Sequence, residues 1–460
     1  MADSAIQIGR RGSNADPRIV VIGAGFTGLA AAYQLTSLGI NVTVLEGDAE
    51  VGGLAGCFEV NGARLEKFYH HWFVNDSYIM QLIRELGGEL NIIYRPTRTG
   101  MYFANNLFKL SAPLDVLRFK PLGYADRIRL AALVLRARAV NDWKQLESLT
   151  AQQWLSALGG DAVYKVVWEP LLRGKFGSHA PDVSAVWFWN KLKLRGGSRD
   201  RWGNEVLAYY RGGFAALARR MAAEIAAKGG EIRTGAAVHA LLVDGTRVTG
   251  VETARGLIEA DAVIATPALP IIADLLRPHV PADYADRLCK IQYLANLCVV
   301  LELDRSLSST YWLNVNDPGF PFVGVIEHTN FEPAETYGGR HIVYLSKYLA
   351  ESDSLYAMND GQVLEYSLPH LQRMFPDFAR SWILASHVWR ARFAQPIVTR
   401  GYRDLIPSAE TPLEGFHIAT MAQIYPEDRG TNYAVREGRA IARRVCEQVR
   451  RSQSAPAWTD

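Results

Sequence analysis

The sequence predicts an α/β protein, and three observations carry that reading. A β-branched strand, a glycine-rich turn, a helix and a second strand follow one another between Arg18 and Glu46. Blocks mixing short apolar strands with an alanine-rich or amphipathic helix return at 205–275 and 410–450. The pieces between them differ, one reading as helical and one alternating like a sheet. A chain of 460 residues can bury two such cores without metal or disulfide support. Its composition, 49% hydrophobic and 21% charged, is that of a globular protein, and a net charge of +3 gives no general attraction for nucleic acid. Cys57, Cys289, Cys298 and Cys446 form no CxxC pair and no His/Cys cluster. A metal site is therefore not expected, and a reducing cytoplasm is. Residues 1–16 are polar and carry no apolar signal segment; they and 451–460 read as flexible tails.

The first element is Arg18-Ile-Val-Val-Ile22, a run suited to a parallel strand buried on both faces. Gly23-Ala-Gly25-Phe26-Thr27-Gly28 follows, then Leu-Ala-Ala-Ala-Tyr-Gln-Leu, a strong helix former. Gly39 ends the helix, and Val42-Thr-Val-Leu-Glu46 supplies the second strand. Gly23 permits the tight turn, Gly25 lets backbone approach a pyrophosphate, and Gly28 lets helix and strand pack closely. The helix start offers free N–H groups to phosphate, and Glu46 can accept hydrogen bonds from ribose hydroxyls. The 27 residues from Ile19 to Leu45 carry no formal charge. Their glycines argue for a buried βαβ unit and against a membrane span. The pattern is a Rossmann-like dinucleotide fingerprint.

After Glu46 the chain reads Gly47-Asp-Ala-Glu-Val-Gly52-Gly53-Leu54-Ala-Gly56. This resembles the second glycine motif of the FAD-dependent amine oxidase superfamily, which includes protoporphyrinogen oxidase and phytoene desaturase. Where the family's usual form carries an arginine after the paired glycines, this chain has Leu54. The resemblance implies a Rossmann-like FAD-binding domain interleaved with a mixed sheet-plus-helix substrate domain. FAD would be held by 17–75, 205–275 and 410–450, and substrate by 76–204 and 276–409. Tyr210-Arg-Gly-Gly-Phe214 opens the alanine-rich helix, Gly230–Val238 reads as a strand, and Asp244-Gly245 and Arg255-Gly256 read as hairpin turns. Ala262–Pro267 and Phe416–Thr420 return the chain to the sheet. The resemblance puts a residue near Val238 on the adenine, and the helix start at Thr431-Asn432-Tyr433 against the flavin edge, where its dipole would stabilise negative charge. Thr431 and Asn432 read equally as a simple N-cap.

The substrate pieces are less specific. The 76–204 piece reads mainly helical. Between Lys109 and Arg138 it carries seven basic and two acidic residues among Leu, Phe and Tyr. Such a stretch is either a solvated helix face or a contact for an anionic membrane surface. Trp168, Trp187, Trp189 and Trp202 suggest an aromatic core or a lined tunnel. Residues 285–405 alternate as a sheet. Glu327, His328, Thr329 and Asn330 close an apolar run and either roof a pocket or begin a loop.

For chemistry, Phe68-Tyr69-His70-His71-Trp72-Phe73-Val-Asn-Asp76 resembles the His-containing segment of UDP-galactopyranose mutases, in which a histidine lies against the flavin ring. His70 and His71, with His328, are the catalytic candidates; a hydrogen-bonded core histidine is the alternative for each. Glu327, Asn330 and Arg429 are the substrate-binding candidates, Arg429 being preferred over Arg390, Arg392 and Arg400. Amine oxidases proper carry a lysine that bridges water to flavin N5. No motif places one here, and Lys67 and Lys175 are the nearest. The expected activity is FAD-dependent hydride removal from a C–H or C–N bond of an apolar, isoprenoid or lipid-linked substrate onto flavin N5. Rival readings are a redox-neutral sugar mutase and a lipid carrier like the GDP dissociation inhibitors. The expected partner is a small or lipid-like molecule, in the cytoplasm or peripheral at a membrane through 109–138; the oligomeric state stays open.

Overall fold

The computed structural model describes residues 17–109, 113–201 and 204–454. The expected tail at 1–16, most of that at 451–460, and Trp202 lie outside the described residues. The uncharged β-branched run forms the central strand, Arg18–Ile22, of a five-stranded parallel sheet. Its neighbours are Asn41–Leu45 and Glu231–Arg233 on one side and Ala262–Ala265 and Phe416–Ile418 on the other. Alternate side chains of the central strand enter different cores. Ile19 and Val21 pack beneath the helix Phe26–Ser37, while Val20 and Ile22 pack toward the three-stranded sheet spanning 238–259. Burial on both faces is why the run shows no polar alternation. Each fully buried Val or Ile contributes roughly 1.5–3 kcal/mol of transfer free energy.

A seven-stranded mixed sheet stands beside this layer. It runs in the order Ile383–Pro396, Tyr293–Leu303, His341–Leu349, Gly324–Glu327, Trp312–Val315, Thr99–Phe103 and Asn106–Lys109. Cys298, Val300, Ile342 and Tyr344 face the glycine-rich layer, whereas Leu297, Val299, Val343 and Leu345 pack under the helix Asp360–Met374. Trp187 and Trp189 of the helix Ala185–Gly197 are buried, and the Trp189 indole donates to the Ala137 carbonyl at 3.0 Å.

Two sequence expectations need correction and one an addition. The 76–204 piece is mainly helical, as expected, and also carries strands: Ile92–Pro96 pairs with Val206–Tyr210, and the hairpin Thr99–Phe103/Asn106–Lys109 completes the seven-stranded sheet. Its turn places Ala104 and Asn105 at φ 51° and 57° without a glycine, so the usual hairpin signal is missing. Gly230–Val238 is not one strand, because the chain leaves Glu231–Arg233, bends at Gly235 and starts a different sheet at Val238. Residues 451–454 continue the C-terminal helix, Thr431–Ser454, and do not begin a tail.

The basic stretch forms the helices Pro113–Leu117 and Tyr124–Arg138. Leu130, Leu133 and Ala137 face inward, while Leu117, Tyr124, Ile128 and Leu135 stay exposed, Tyr124 at 80%. No helix among the described residues is long and apolar enough to cross a membrane.

The C-terminal helix lies on the first helix through a seam of small residues. A Cβ on Gly438 would stand 2.3 Å from the Thr27 carbonyl oxygen and 2.9 Å from Ala30 Cβ. Gly438→Val is expected to destabilise the fold by about 1–3 kcal/mol through overpacking, as measured by urea unfolding. An unchanged midpoint would mean that the two helices are not in this contact.

Candidate active site

The turn after the first strand is built from bare backbone. Gly23 has φ 95°, and a Cβ on Gly28 would sit 1.9 Å from the Gly23 carbonyl oxygen. The helix Phe26–Ser37 starts with no side-chain cap and no acidic residue in its first turn, leaving its leading N–H groups to serve an anion. Glu46 is fixed at the end of its strand, with Oε2 accepting from the Ala24 amide at 2.6 Å and Oε1 from the Asp48 amide at 2.9 Å. The second glycine segment docks on the first: the Gly52 amide donates to the Ala24 carbonyl at 2.9 Å, and Gly53 lies against Gly25. Leu54 sits in the short turn that follows, Gly53–Ala55. The Ala236 amide donates to the Glu46 carbonyl and the Gly235 amide to that of Asp48, which carries the chain alongside Gly47 and into the strand begun by Val238.

The cradle has room in front of it. A Cβ on Gly25 would meet only Gly53 Cα, at 3.9 Å, and one on Gly430 meets nothing within 4 Å. Gly430 precedes the start of the C-terminal helix, so two helix N-termini present uncovered backbone. A dinucleotide with a negatively charged ring edge fits this donor set.

The segment after Glu66 crosses between the two sheets. His70 Nδ1 donates to the Phe68 carbonyl at 2.5 Å, and burial pushes the imidazole down to about 4, so it is neutral near pH 7 with Nε2 left as an acceptor. His71 Nδ1 lies 2.9 Å from the Tyr311 hydroxyl. The Trp72 ring stacks on Phe214 at 4.2 Å and its indole donates to Thr431 Oγ1 at 2.7 Å. Asn432 Oδ1 accepts from the Ile79 amide at 3.1 Å. Thr431 and Asn432 thus bind other segments and do not cap their own helix, while Tyr433 packs on Tyr78 and Arg436.

On the sheet side, Tyr344, Ser346 and Tyr348 occupy one face of a strand. Ser346 Oγ accepts from Tyr69 at 3.1 Å and from Asn296 at 3.0 Å. Arg429 donates from Nη2 to the Tyr348 hydroxyl at 2.9 Å and from Nε to Gln395 Oε1 at 3.1 Å. Tyr69, His70, Lys175 and Arg429 lie deep in the protein yet keep accessible surface, which we read as the lining of an internal cavity.

The flavin-containing amine oxidoreductase family profile matches residues 26–446. The chain belongs to that family. That family is one of flavin-containing oxidoreductases. An L-amino-acid oxidase of Pseudechis australis is 39% identical over 101 residues, 20% of this chain and 18% of that protein. The curated relatives are thus matched over about a fifth of their length. A solved structure assigned to a protoporphyrinogen oxidase of Exiguobacterium sp. 255-15 superposes with a TM-score of 0.76 at 18% identity, covering 94% of this chain and 99% of that one. Reduced UDP-galactopyranose mutase superposes at 0.72 with 16% identity, covering 94% and 96%. Both are likenesses of fold.

Several candidates in this oxidoreductase have other occupations. His328 is 1% exposed, bonded through Nε2 to the Tyr337 hydroxyl at 2.8 Å, and pushed down to about 3 by burial. It is a core histidine behind the Glu66–Tyr209 pair and not a catalytic one. Glu327 binds Ser306, Leu307 and Ser308, and Asn330 donates to the Ser308 and Thr310 carbonyls. Both brace the loop 306–310 and neither roofs the cavity; Asn330 also lines an outer cleft with Arg95 and Glu335. Arg390 and Arg392 pair with Asp360 and Glu351, and Arg400 is exposed. Arg429 alone of the arginine candidates borders the cavity. Lys67 lies over Trp389. Sequence reasoning passed over Glu66 and Asp428, single charged residues whose burial no local motif announces, and Lys191, which pairs with Asp428.

Buried neutral histidines fix a pH dependence. His70, His328 and His417 are all depressed by burial, to about 4, about 3 and about 4. Their contribution to stability is complete above pH 6.5 and falls as the pH drops, because only the unfolded chain takes up the protons. Each adds a slope of up to ~1.4 kcal/mol per pH unit in that window. His328→Gln is expected to flatten the acid limb by about one proton, read from denaturant midpoints between pH 6.5 and 5; an unaltered limb would contradict a buried neutral His328.

Proposed function

We propose that this flavoenzyme removes hydride from a C–H or C–N bond of an apolar, isoprenoid or lipid-linked substrate. The observation that carries the proposal is that Tyr69, His70, Lys175 and Arg429 lie deep between the start of the C-terminal helix and the mixed sheet yet keep accessible surface, and we take them to line the substrate cavity. When bound, FAD supplies the two-electron acceptor. The chain would do the rest. Tyr69, Trp312 and Tyr344 exclude water, Tyr69 meeting the other two edge-on with ring centres 5.0 and 6.1 Å away. His70 offers Nε2 as a proton acceptor on the cavity wall. The start of the C-terminal helix, anchored by Trp72 and Ile79, directs its positive dipole end toward the ring edge that gains charge.

The mutase reading keeps one specific support, the place of His70 in the segment between the sheets. Anaerobic mixing of FAD-loaded protein with candidate prenyl, cyclic and amine substrates separates the two. The oxidoreductase reading expects a substrate to bleach the flavin and an added acceptor to restore its colour. Turnover only after chemical reduction, with no acceptor consumed, would transfer the protein to the mutases.

We also propose that the protein is cytoplasmic and meets an anionic membrane peripherally through 109–138. Exposed Leu117, Tyr124, Ile128 and Leu135 stand among Arg118, Lys120, Arg129, Arg136 and Arg138. Basic residues near such a surface each add about 1 kcal/mol of attraction. Cosedimentation with phosphatidylglycerol vesicles is expected, lost on Ile128→Glu/Leu135→Glu; equal binding to uncharged vesicles would defeat the electrostatic part.

A further inference from the structure

At the end of the cavity beside the C-terminal helix, three cations share one carboxylate. Asp428 is buried; Lys191 Nζ lies 2.5 Å from its Oδ2, and Gln395 donates to its Oδ1 at 3.1 Å. Burial alone would raise the Asp428 carboxyl, but Lys191, Lys175 and Arg429 together hold it well below the usual carboxylate range. The side chain of Gln395 also receives Arg429 Nε, so a single amide bridges Asp428 and Arg429. Lys191 already has its counter-charge. Arg429 is held by neutral partners, Gln395 and Tyr348, and among the described residues Lys175 has neither a counter-charge nor a hydrogen-bond partner.

Lys175 lies in the helix Glu169–Phe176 with its ammonium over three aromatic rings, 4.8 Å from the centre of Trp187, 5.2 Å from that of Tyr348 and 5.5 Å from that of Phe176. Among the described residues no carboxylate comes within ion-pair distance of it and no acceptor within hydrogen-bond distance. Trp187, whose ring also lies near Lys191, is 5% exposed, and its indole Nε1 has no partner. The Tyr348 hydroxyl accepts from Arg429. The corner is therefore rich in donors and short of acceptors. Protein interiors do not keep an unpaired cation without compensation, and here two further cations add to the demand.

We propose that this corner binds the anionic end of the substrate, a carboxylate or a phosphate. Lys175 and the Trp187 N–H would be its donors and Arg429 the neighbouring positive charge. The proposal rests on the reading of the cavity as the substrate site, and it narrows that reading to a molecule with an apolar body and one negatively charged end. Burial, only partly offset by Asp428, pushes the free Lys175 amine down to about 7, with Lys191 and Arg429 adding to the depression. An arriving anion restores its proton. Affinity is thus expected to fall as the pH rises above 7, and binding at pH 8 to take up a proton. The charged and titratable groups that face Lys175 are Asp428 and Arg429 before the C-terminal helix, Lys191 on the helix Ala185–Gly197, and Tyr348 on the mixed sheet.

The test uses FAD-loaded protein and three probes of one shape: hexanoate, hexyl phosphate and uncharged hexanol. Binding is read from perturbation of the flavin absorption band and from the rise in Tm. One of the two anions is expected to bind at least about tenfold more tightly than hexanol, and which one does so distinguishes a carboxylate from a phosphate substrate. Lys175→Met should abolish that preference and its dependence on pH while raising the Tm of the probe-free protein, because it removes an unpaired buried charge. Lys175→Arg should restore the preference without the pH dependence near 7. Hexanol binding as tightly as both anions, or an anion preference that survives Lys175→Met, would overturn the proposal. Failure of every candidate substrate to bleach the flavin, with the anion preference intact, would instead count against the oxidoreductase reading and leave the anion site standing.

Discussion

The structure is organised around a six-residue turn whose glycines allow close backbone approach. From Gly23 to Gly28 the chain turns from the central strand into the first helix, and four other parts of the molecule close on that turn. Glu46 reaches the Ala24 amide, and Gly52 reaches the Ala24 carbonyl. Thr266 Oγ1 lies 2.7 Å from where a Cβ on Gly23 would be, and the helix bearing Gly438 presses on the Thr27 carbonyl. These contacts come from residues 46, 52, 266 and 438, so the interleaving of the chain is a packing consequence. A side chain at the turn would separate segments that must meet. The fold is closed at its most polar point because the polar groups there are backbone groups in reach of one another.

A second junction decides where the cavity lies. Glu66 is 1% exposed, and its carboxylate accepts from the Tyr209 hydroxyl at 2.7 Å and the Phe214 amide at 2.6 Å. Its carbonyl accepts from the Tyr344 hydroxyl at 2.8 Å. One residue thus joins the end of the second glycine segment, the start of the helix Gly213–Ala227 and the face of the mixed sheet. Burial raises its carboxyl while those donors favour its charged form. Tyr69 and His70 follow three and four residues later and are carried between the sheets by this anchor. Their position is a consequence of Glu66 more than of their own contacts.

The sequence was legible where a local pattern has one mechanical solution. The strand, turn, helix and acid of 18–46 can be satisfied by few arrangements, and the alternation of 285–405 admits little besides a sheet. Legibility failed where meaning comes from distant partners. Thr431 and Asn432 look like a cap, yet the groups they bind lie more than 350 residues away. Glu327 to Asn330 look like a polar pocket edge, but a loop some 20 residues earlier takes up Glu327 and Asn330. The hairpin at 99–109 lacked its glycine. Glu66 and Asp428 were single charges, and only the folded chain shows that they are buried, as only it shows Lys175 set over aromatic rings.

The folds of an oxidase and of a sugar mutase superpose on this chain almost equally well, so the architecture alone does not choose a reaction. The distribution of charge in the cavity is more discriminating. His70, in the crossing segment, is held neutral by burial, so it brings no charge to the cavity. The end beside the C-terminal helix gathers Lys175, Lys191 and Arg429, and the nearby helix start adds the positive end of its dipole. Asp428 moderates this field without cancelling it: Lys191 answers the carboxylate, Gln395 ties it to Arg429, and Lys175 is left over. A substrate anchored by this positive corner would be held in one orientation, and orientation of the reacting carbon is the protein's main share of cofactor chemistry. The carboxylate that pairs only one of three cations is therefore an argument about direction as well as affinity.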